Sequence, residues 1–248
     1  MKGKRIAILG LTTALAVSLL AVPAGAVSFE DMQGHWARED VEYLAGLGVI
    51  NGTSQTAFSP ARQLTACEAL LFCSRTTGVS AADRQRIAAD WAEPLRLILP
   101  AEVYDWAKDE MAVCLETGII SRQELEAMCT SGALLRSITR ENLSMYLVRA
   151  MQLDAMAENL TSYSMSFADT AAIAEVLKPY VYLLSSYGVV RGNSANQFMP
   201  RSNLTRAEMA TMLRRTIDFM DERGIYAELP SYTSYPWTGG VIAALSAG

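Results

Sequence analysis

The residues best placed to do chemistry in this chain are two arginines, each one position after a threonine. Leu204-Thr205-Arg206-Ala207-Glu208 holds the first and Ile138-Thr139-Arg140-Glu141 the second. The spacing from Thr205 to Glu208 is that of a capping box: the hydroxyl accepts from an orphan amide of the first helical turn, and the carboxylate accepts from the amide of the threonine itself. A helix is therefore expected to start at Thr205, with Arg206 in its first turn, where free amides and the helix dipole already favour an anion. A guanidinium at that point adds a planar fork suited to a carboxylate. Thr139 and Arg140 repeat the arrangement with Asn142 in place of the glutamate, which keeps the threonine cap and weakens the return bond. A third segment, Leu64-Thr65-Ala66-Cys67-Glu68, keeps the box but has Ala66 where the arginine stands.

Trp36 and Trp106, each followed by alanine, offer flat apolar faces that either stack on a sugar ring or fill core, and both readings stay open. Asp31 and Asp169, each two residues after a phenylalanine, suit caps or braces at a junction better than ligand contacts. The candidate binding set is Arg206, Arg140, Thr205, Thr139, Glu208, Trp36 and Trp106, with Asp31 and Asp169 at its margin.

Enzymatic chemistry has little to stand on. His35 is the single histidine and sits beside Trp36 at a helix start, where packing or capping explains it. No nucleophile motif surrounds it, and a histidine-rich metal site is excluded by count. Carboxylates are numerous enough for a paired-acid mechanism, but most fall on faces expected to be exposed, and the repeats leave no room for a separate catalytic domain. No enzyme activity, catalytic residue, cofactor or metal is expected. The chain carries 21 Lys and Arg against 26 Asp and Glu, for a net charge of −5, with no basic stripe, which argues against nucleic acid.

The elements that position these residues come from internal repetition. Gly48-Val49-Ile50-Asn51-Gly52, Phe58-Ser59-Pro60 and Leu64-Thr65 recur 140 positions later as Gly188-Val189-Val190-Arg191-Gly192, Phe198-Met199-Pro200 and Leu204-Thr205. Phe29-Glu30-Asp31 recurs 138 positions later as Phe167-Ala168-Asp169. A middle copy lies halfway: Trp106-Ala107 and Gly118-Ile119-Ile120 follow Trp36-Ala37 and Gly48-Val49-Ile50 by 70. It lacks both the Phe-x-Asp opening and the Phe-x-Pro loop, and the third copy has Val176 where Trp36 aligns. Each copy reads as helix, turn-rich loop, helix: apolar residues recur at helical spacing from Trp36 to Leu47, Gly48 stops the run, and Thr65 opens the next. Ala81 to Leu99 adds an extra helix, expected to kink or break at Pro94. The fold is expected to be mainly α.

Taken in order, the aromatic-x-Asp opening, the Trp-Ala helix, Gly-hydrophobic-hydrophobic-x-Gly, Phe-x-Pro and Leu-Thr-Arg-Ala-Glu resemble the S-layer homology domain over roughly residues 28 to 220. The resemblance implies three helix-loop-helix repeats in a pseudo-threefold α-helical assembly, with grooves between repeats that bind a pyruvylated secondary cell-wall polysaccharide. It also implies that the motif arginine, here Arg206 and Arg140, matters for that binding. On this reading the protein anchors itself non-covalently to the cell wall. The other reading is a degenerate structural module that assembles with other envelope proteins and binds no sugar; Ala66 and the incomplete middle copy favour it.

The divisions expected are 1–26 signal peptide, 27–80 first repeat, 81–160 linker helix and degenerate second repeat, 161–223 third repeat and 224–248 irregular tail. Lys2, Lys4 and Arg5, the apolar run from Ile6 to Val22 and Ala24-Gly25-Ala26 make up the signal peptide. Those three are its only charged residues, so cleavage takes the formal charge from −5 to −8 and leaves an acidic protein, secreted to the bacterial cell surface with no membrane anchor. Four cysteines in an exported chain invite disulfides, but Cys114 aligns with Leu44 and Leu184 and Cys73 with Leu213, so free thiols in core positions are expected.

Overall fold

The computed structural model describes residues 28–225 and Ala227; the expected signal peptide and nearly all of the tail lie outside the described residues. The protein is mainly helical. Among the described residues nine α-helices follow in order: α1 (Arg38–Gly46), α2 (Ala66–Arg75), α3 (Ala81–Ile98), α4 (Ala101–Glu116), α5 (Arg122–Thr130), α6 (Arg140–Ala150), α7 (Asp154–Glu158), α8 (Lys178–Ser186) and α9 (Arg206–Arg223). The helix pairs of the three copies are α1 with α2, α4 with α6, and α8 with α9; α3, α5 and α7 are additions.

Each capping threonine starts its helix as its side chain dictates. Thr65 and Thr205 form complete boxes with Glu68 and Glu208. Thr139 accepts from the Asn142 amide at 3.4 Å, and Asn142 returns no bond. Removing a cap costs about 1 kcal/mol, so Thr205→Ala is expected to lower the unfolding free energy by about that amount and Thr139→Ala by less. Urea titration of the two variants measures the difference, and equal losses would mean that the bond from the Thr205 hydroxyl to the Glu208 carboxylate contributes nothing.

The segments just before these helices meet at the centre. The Leu64 amide donates to the Leu204 carbonyl at 3.0 Å, Leu204 to Ile138 at 3.1 Å, and Ile138 to Leu64 at 3.0 Å. One residue past each threonine the pattern repeats, with Ala66 donating to Arg136, Arg140 to Ser202 and Arg206 to Arg62. Among the described residues these contacts form isolated bridges rather than a sheet. Leu64, Ile138 and Leu204 are buried, so the backbone polar groups of this apolar hub satisfy one another. Helix pairing follows the same cycle: α1 packs on α9, α4 on α2 and α8 on α6, each first helix lying against the second helix of another copy.

Leu44, Leu184 and Cys114 are fully buried, as are Cys73 and Leu213, and all four cysteines are free. Burial pushes the Cys67 thiol up to about 12, which keeps it protonated and inert. α3 runs through Pro94 without a break. One expectation needs correction. The middle copy, which has no Phe-x-Pro loop, builds α5 in its place, started by a capping box between Ser121 and Glu124.

Candidate functional site

Two surface clefts share one construction. The first, of about 270 Å³, is lined by Trp36, Arg140, Glu208 and the loop Arg191-Gly192-Asn193. The second, of about 350 Å³, is lined by Trp106, Arg206, Glu68 and the loop Asn51-Gly52-Thr53. Positions 51 and 191, like 68 and 208, are repeat equivalents. Each cleft thus takes its loop from one copy, its arginine from a second and its tryptophan from the third, because first helices pack across copies. The repeat equivalents of these residues in the remaining combination are Ala66, Val176 and α5, which supply neither the arginine, the tryptophan nor the loop.

The loops are shaped by aspartates. Asp31 accepts from the amides of Phe58 and Ser59 at 2.9 and 2.6 Å, and Asp169 from those of Phe198 and Met199, both at 2.8 Å. Ser59 and Met199 have φ near +60°, a left-handed conformation that a non-glycine residue adopts at a cost, and the carboxylate bonds hold it there. Bracing, not ligand contact, is therefore what the geometry assigns to Asp31 and Asp169. Gly52 is required for close approach, since a Cβ would lie 2.4 Å from the Ser54 carbonyl and 2.5 Å from the Phe29 ring.

The arginines differ from a solvated side chain. Arg206 is only 4% exposed. Its Nε donates to the Phe58 carbonyl at 2.8 Å, Nη2 donates to the Asn51 carbonyl, and the guanidinium lies 4.4 Å from the Phe58 ring centroid. Burial and then the nearby Arg62 pull its pKa down to about 10, against Glu68, so it stays charged at neutral pH. Arg140 places Nη2 on the Arg191 carbonyl at 3.1 Å, with 16% of its side chain exposed. Its Nε is buried without a partner, and Glu208 lies 3.8 Å from Nη1. Burial and Arg215 lower its pKa, again against a carboxylate, here Glu208.

Trp36 is 65% exposed and Trp106 50%, so neither fills core and each turns apolar surface to its cleft. Thr205, Thr139 and Glu208 serve as caps, Glu208 also facing Arg140. The His35 Nδ1 accepts from the Ala37 amide at 3.2 Å, which explains that residue as part of a turn. Among the described residues no group of acidic, histidine or cysteine side chains could hold a metal, and no helix is long and apolar enough to cross a membrane.

One set went unread in the sequence. Arg75, Arg149 and Arg215 occupy equivalent places and each donates through Nη1 to the carbonyl after a turn glycine, at Val49, Ile119 and Val189. The 140-residue offset between Arg75 and Arg215 was the available signal. Arg191, at a variable place between turn glycines, was likewise overlooked.

The sequence model of the S-layer homology domain matches residues 28–65 and 166–210, the first and third copies. Those two segments are similar to the S-layer homology domain, and the middle copy is unmatched. Among curated proteins the chain is 24% identical over 225 residues to a surface-layer 125 kDa protein of Lysinibacillus sphaericus, covering 89% of this chain and 17% of that one. It is 23% identical over 186 residues to an amylopullulanase of Thermoanaerobacterium thermosulfurigenes, 75% of this chain and 9% of that one. It is 24% identical over 196 residues to the exoglucanase XynX of Acetivibrio thermocellus, 75% and 16%. The chain spans less than a fifth of the length of each of these relatives. The domain match and the surface-layer relative point to a cell-surface location.

Proposed function

We propose that the protein is a non-enzymatic, secreted anchor that binds an anionic, pyruvylated secondary cell-wall polysaccharide in clefts between three repeats arranged about a pseudo-threefold axis. The observation that carries this is the pairing, in each of two clefts, of a charged guanidinium with an exposed tryptophan. A ketal carboxylate needs the first and the face of a sugar ring the second. The closed cycle of hydrogen bonds through Leu64, Ile138 and Leu204 supports the threefold reading. The kinds of relative support a locating role: they include proteins named for different catalytic activities and one named for a surface layer. The collapse of the third combination favours a second reading, in which that face meets another envelope protein.

Cosedimentation with purified sacculi, intact and stripped of their polymer by acid, tests the proposal. The wild type is expected to sediment only with intact sacculi, and Arg140→Ala with Trp36→Ala to weaken binding by about tenfold or more, the loss of one charge-assisted contact. Equal sedimentation with stripped sacculi, or an undiminished double variant, would sink the polysaccharide reading and leave the interaction module.

A further inference from the structure

We infer that the two clefts are not equivalent: the anionic group is taken by the cleft of Arg140 and Trp36, and Arg191 is a ligand-binding residue within it. This rests on the polysaccharide reading above and says which cleft and which donors perform it.

The difference begins at one repeat position. Where the second cleft has the neutral Asn51, the first has Arg191, and that side chain is exposed with no hydrogen bond or ion pair among the described residues. Its carbonyl is held by Arg140 Nη2, which ties the backbone carrying one cation to the side chain of the other. Arg140 in turn keeps a buried Nε without a partner. Arg215, anchored on the Val189 carbonyl, lies near enough to Arg191 for the two charges to disfavour each other. The carboxylates facing this group are already engaged: Glu208 closes the cap of α9, and Asp40 accepts from the Thr211 hydroxyl at 2.6 Å.

In the second cleft each guanidinium is already engaged. Arg62 makes a two-pronged pair with Glu68, Arg75 places Nε on Glu110 at 2.8 Å, and Arg206 is bonded to two backbone carbonyls. A carboxylate entering there must displace existing partners, whereas in the first cleft it meets the unpaired guanidinium of Arg191, and charge-assisted bonds to free donors are the strong ones.

Isothermal titration calorimetry with a methyl hexosaminide carrying a 4,6-pyruvate ketal, and with its uncharged parent sugar, tests the assignment. We expect about one site per chain for the ketal, a loss of about tenfold in affinity for Arg191→Gln, and a change within about twofold for Arg62→Gln. Both positions are partly or fully exposed, and circular dichroism of each variant separates misfolding from lost contact. Two equal sites, or loss on Arg62→Gln with Arg191→Gln at wild-type affinity, would overturn the assignment while leaving the polysaccharide reading in place. Failure of the wild type to bind both the ketal and intact sacculi would overturn the two together.

Discussion

Arg206→Ala is expected to lower the free energy of unfolding by about 3–5 kcal/mol, as removal of a buried charged hydrogen-bonding group does. The guanidinium reaches back across the chain to the carbonyls of Phe58 and Asn51, which flank the first loop, and covers the buried Phe58 ring. Truncation leaves both carbonyls without their donor and opens a void beside the ring. Arg206→Lys should recover little, since one ammonium cannot serve two carbonyls in a fixed fork. The equivalent Arg140→Ala should cost less, because Arg140 donates one hydrogen bond, to Arg191, and its pair with Glu208 is long at 3.8 Å. Urea unfolding of the three variants measures this; an Arg206→Ala protein within about 1 kcal/mol of wild type would show that the arginine is not a strut. The consequence for function is direct. Loss of wall binding by Arg206→Ala would report a collapsed loop as readily as a lost ligand contact, so Arg140, Arg191 and Trp36 are the positions at which binding is to be read.

Much of this architecture is legible in the sequence because it rests on local chemistry. A threonine followed three residues later by a glutamate starts a helix wherever it occurs, and the structure shows that box at Thr65, Thr205 and also Ser121, whose box with Glu124 betrays α5. Repeat alignment put Cys114 and Cys73 at leucine positions, and both are buried. Other features depend on which copy touches which, and an alignment stacks copies without pairing them. It assigns Ala66 to the first copy and leaves that copy without its cation, yet the loop of the first copy is served by Arg206 of the third. It offers Arg206 as ligand contact or solvated side chain, whereas its carbonyl partners lie 148 and 155 residues away and define a third role. The tryptophans could not be placed from spacing, because the face that a helix buries is set by the neighbour it packs on, and that neighbour belongs to another copy.

Glu110→Ala is the second substitution with a large expected effect, about 3 kcal/mol, the low end for removing one partner from a buried ion pair because the carboxylate is part-exposed. Glu110 on α4 accepts from Arg75 Nε of α2 at 2.8 Å, from Arg84 Nη1 of α3 at 2.7 Å and from the Ser74 hydroxyl, so one carboxylate joins three helices and two copies. Burial is the largest single influence on its pKa and raises it, but Arg84, Arg75 and Ser74 together outweigh that and hold the carboxyl below its ordinary value. A depressed folded-state pKa means that the unfolded chain takes up the proton first on acidification. The stabilisation is therefore complete above the unfolded-state value of about 4.3 and is lost as pH falls through the lower folded-state value. Glu110→Gln keeps the shape and cannot titrate. The gap in stability between wild type and Glu110→Gln should be largest near neutrality and close as the pH is lowered through that window. Thermal unfolding of both proteins across the acid range measures the gap; one that stayed constant with pH would mean that Glu110 acts through packing alone, and one that widened in acid would mean that its proton is retained in the fold.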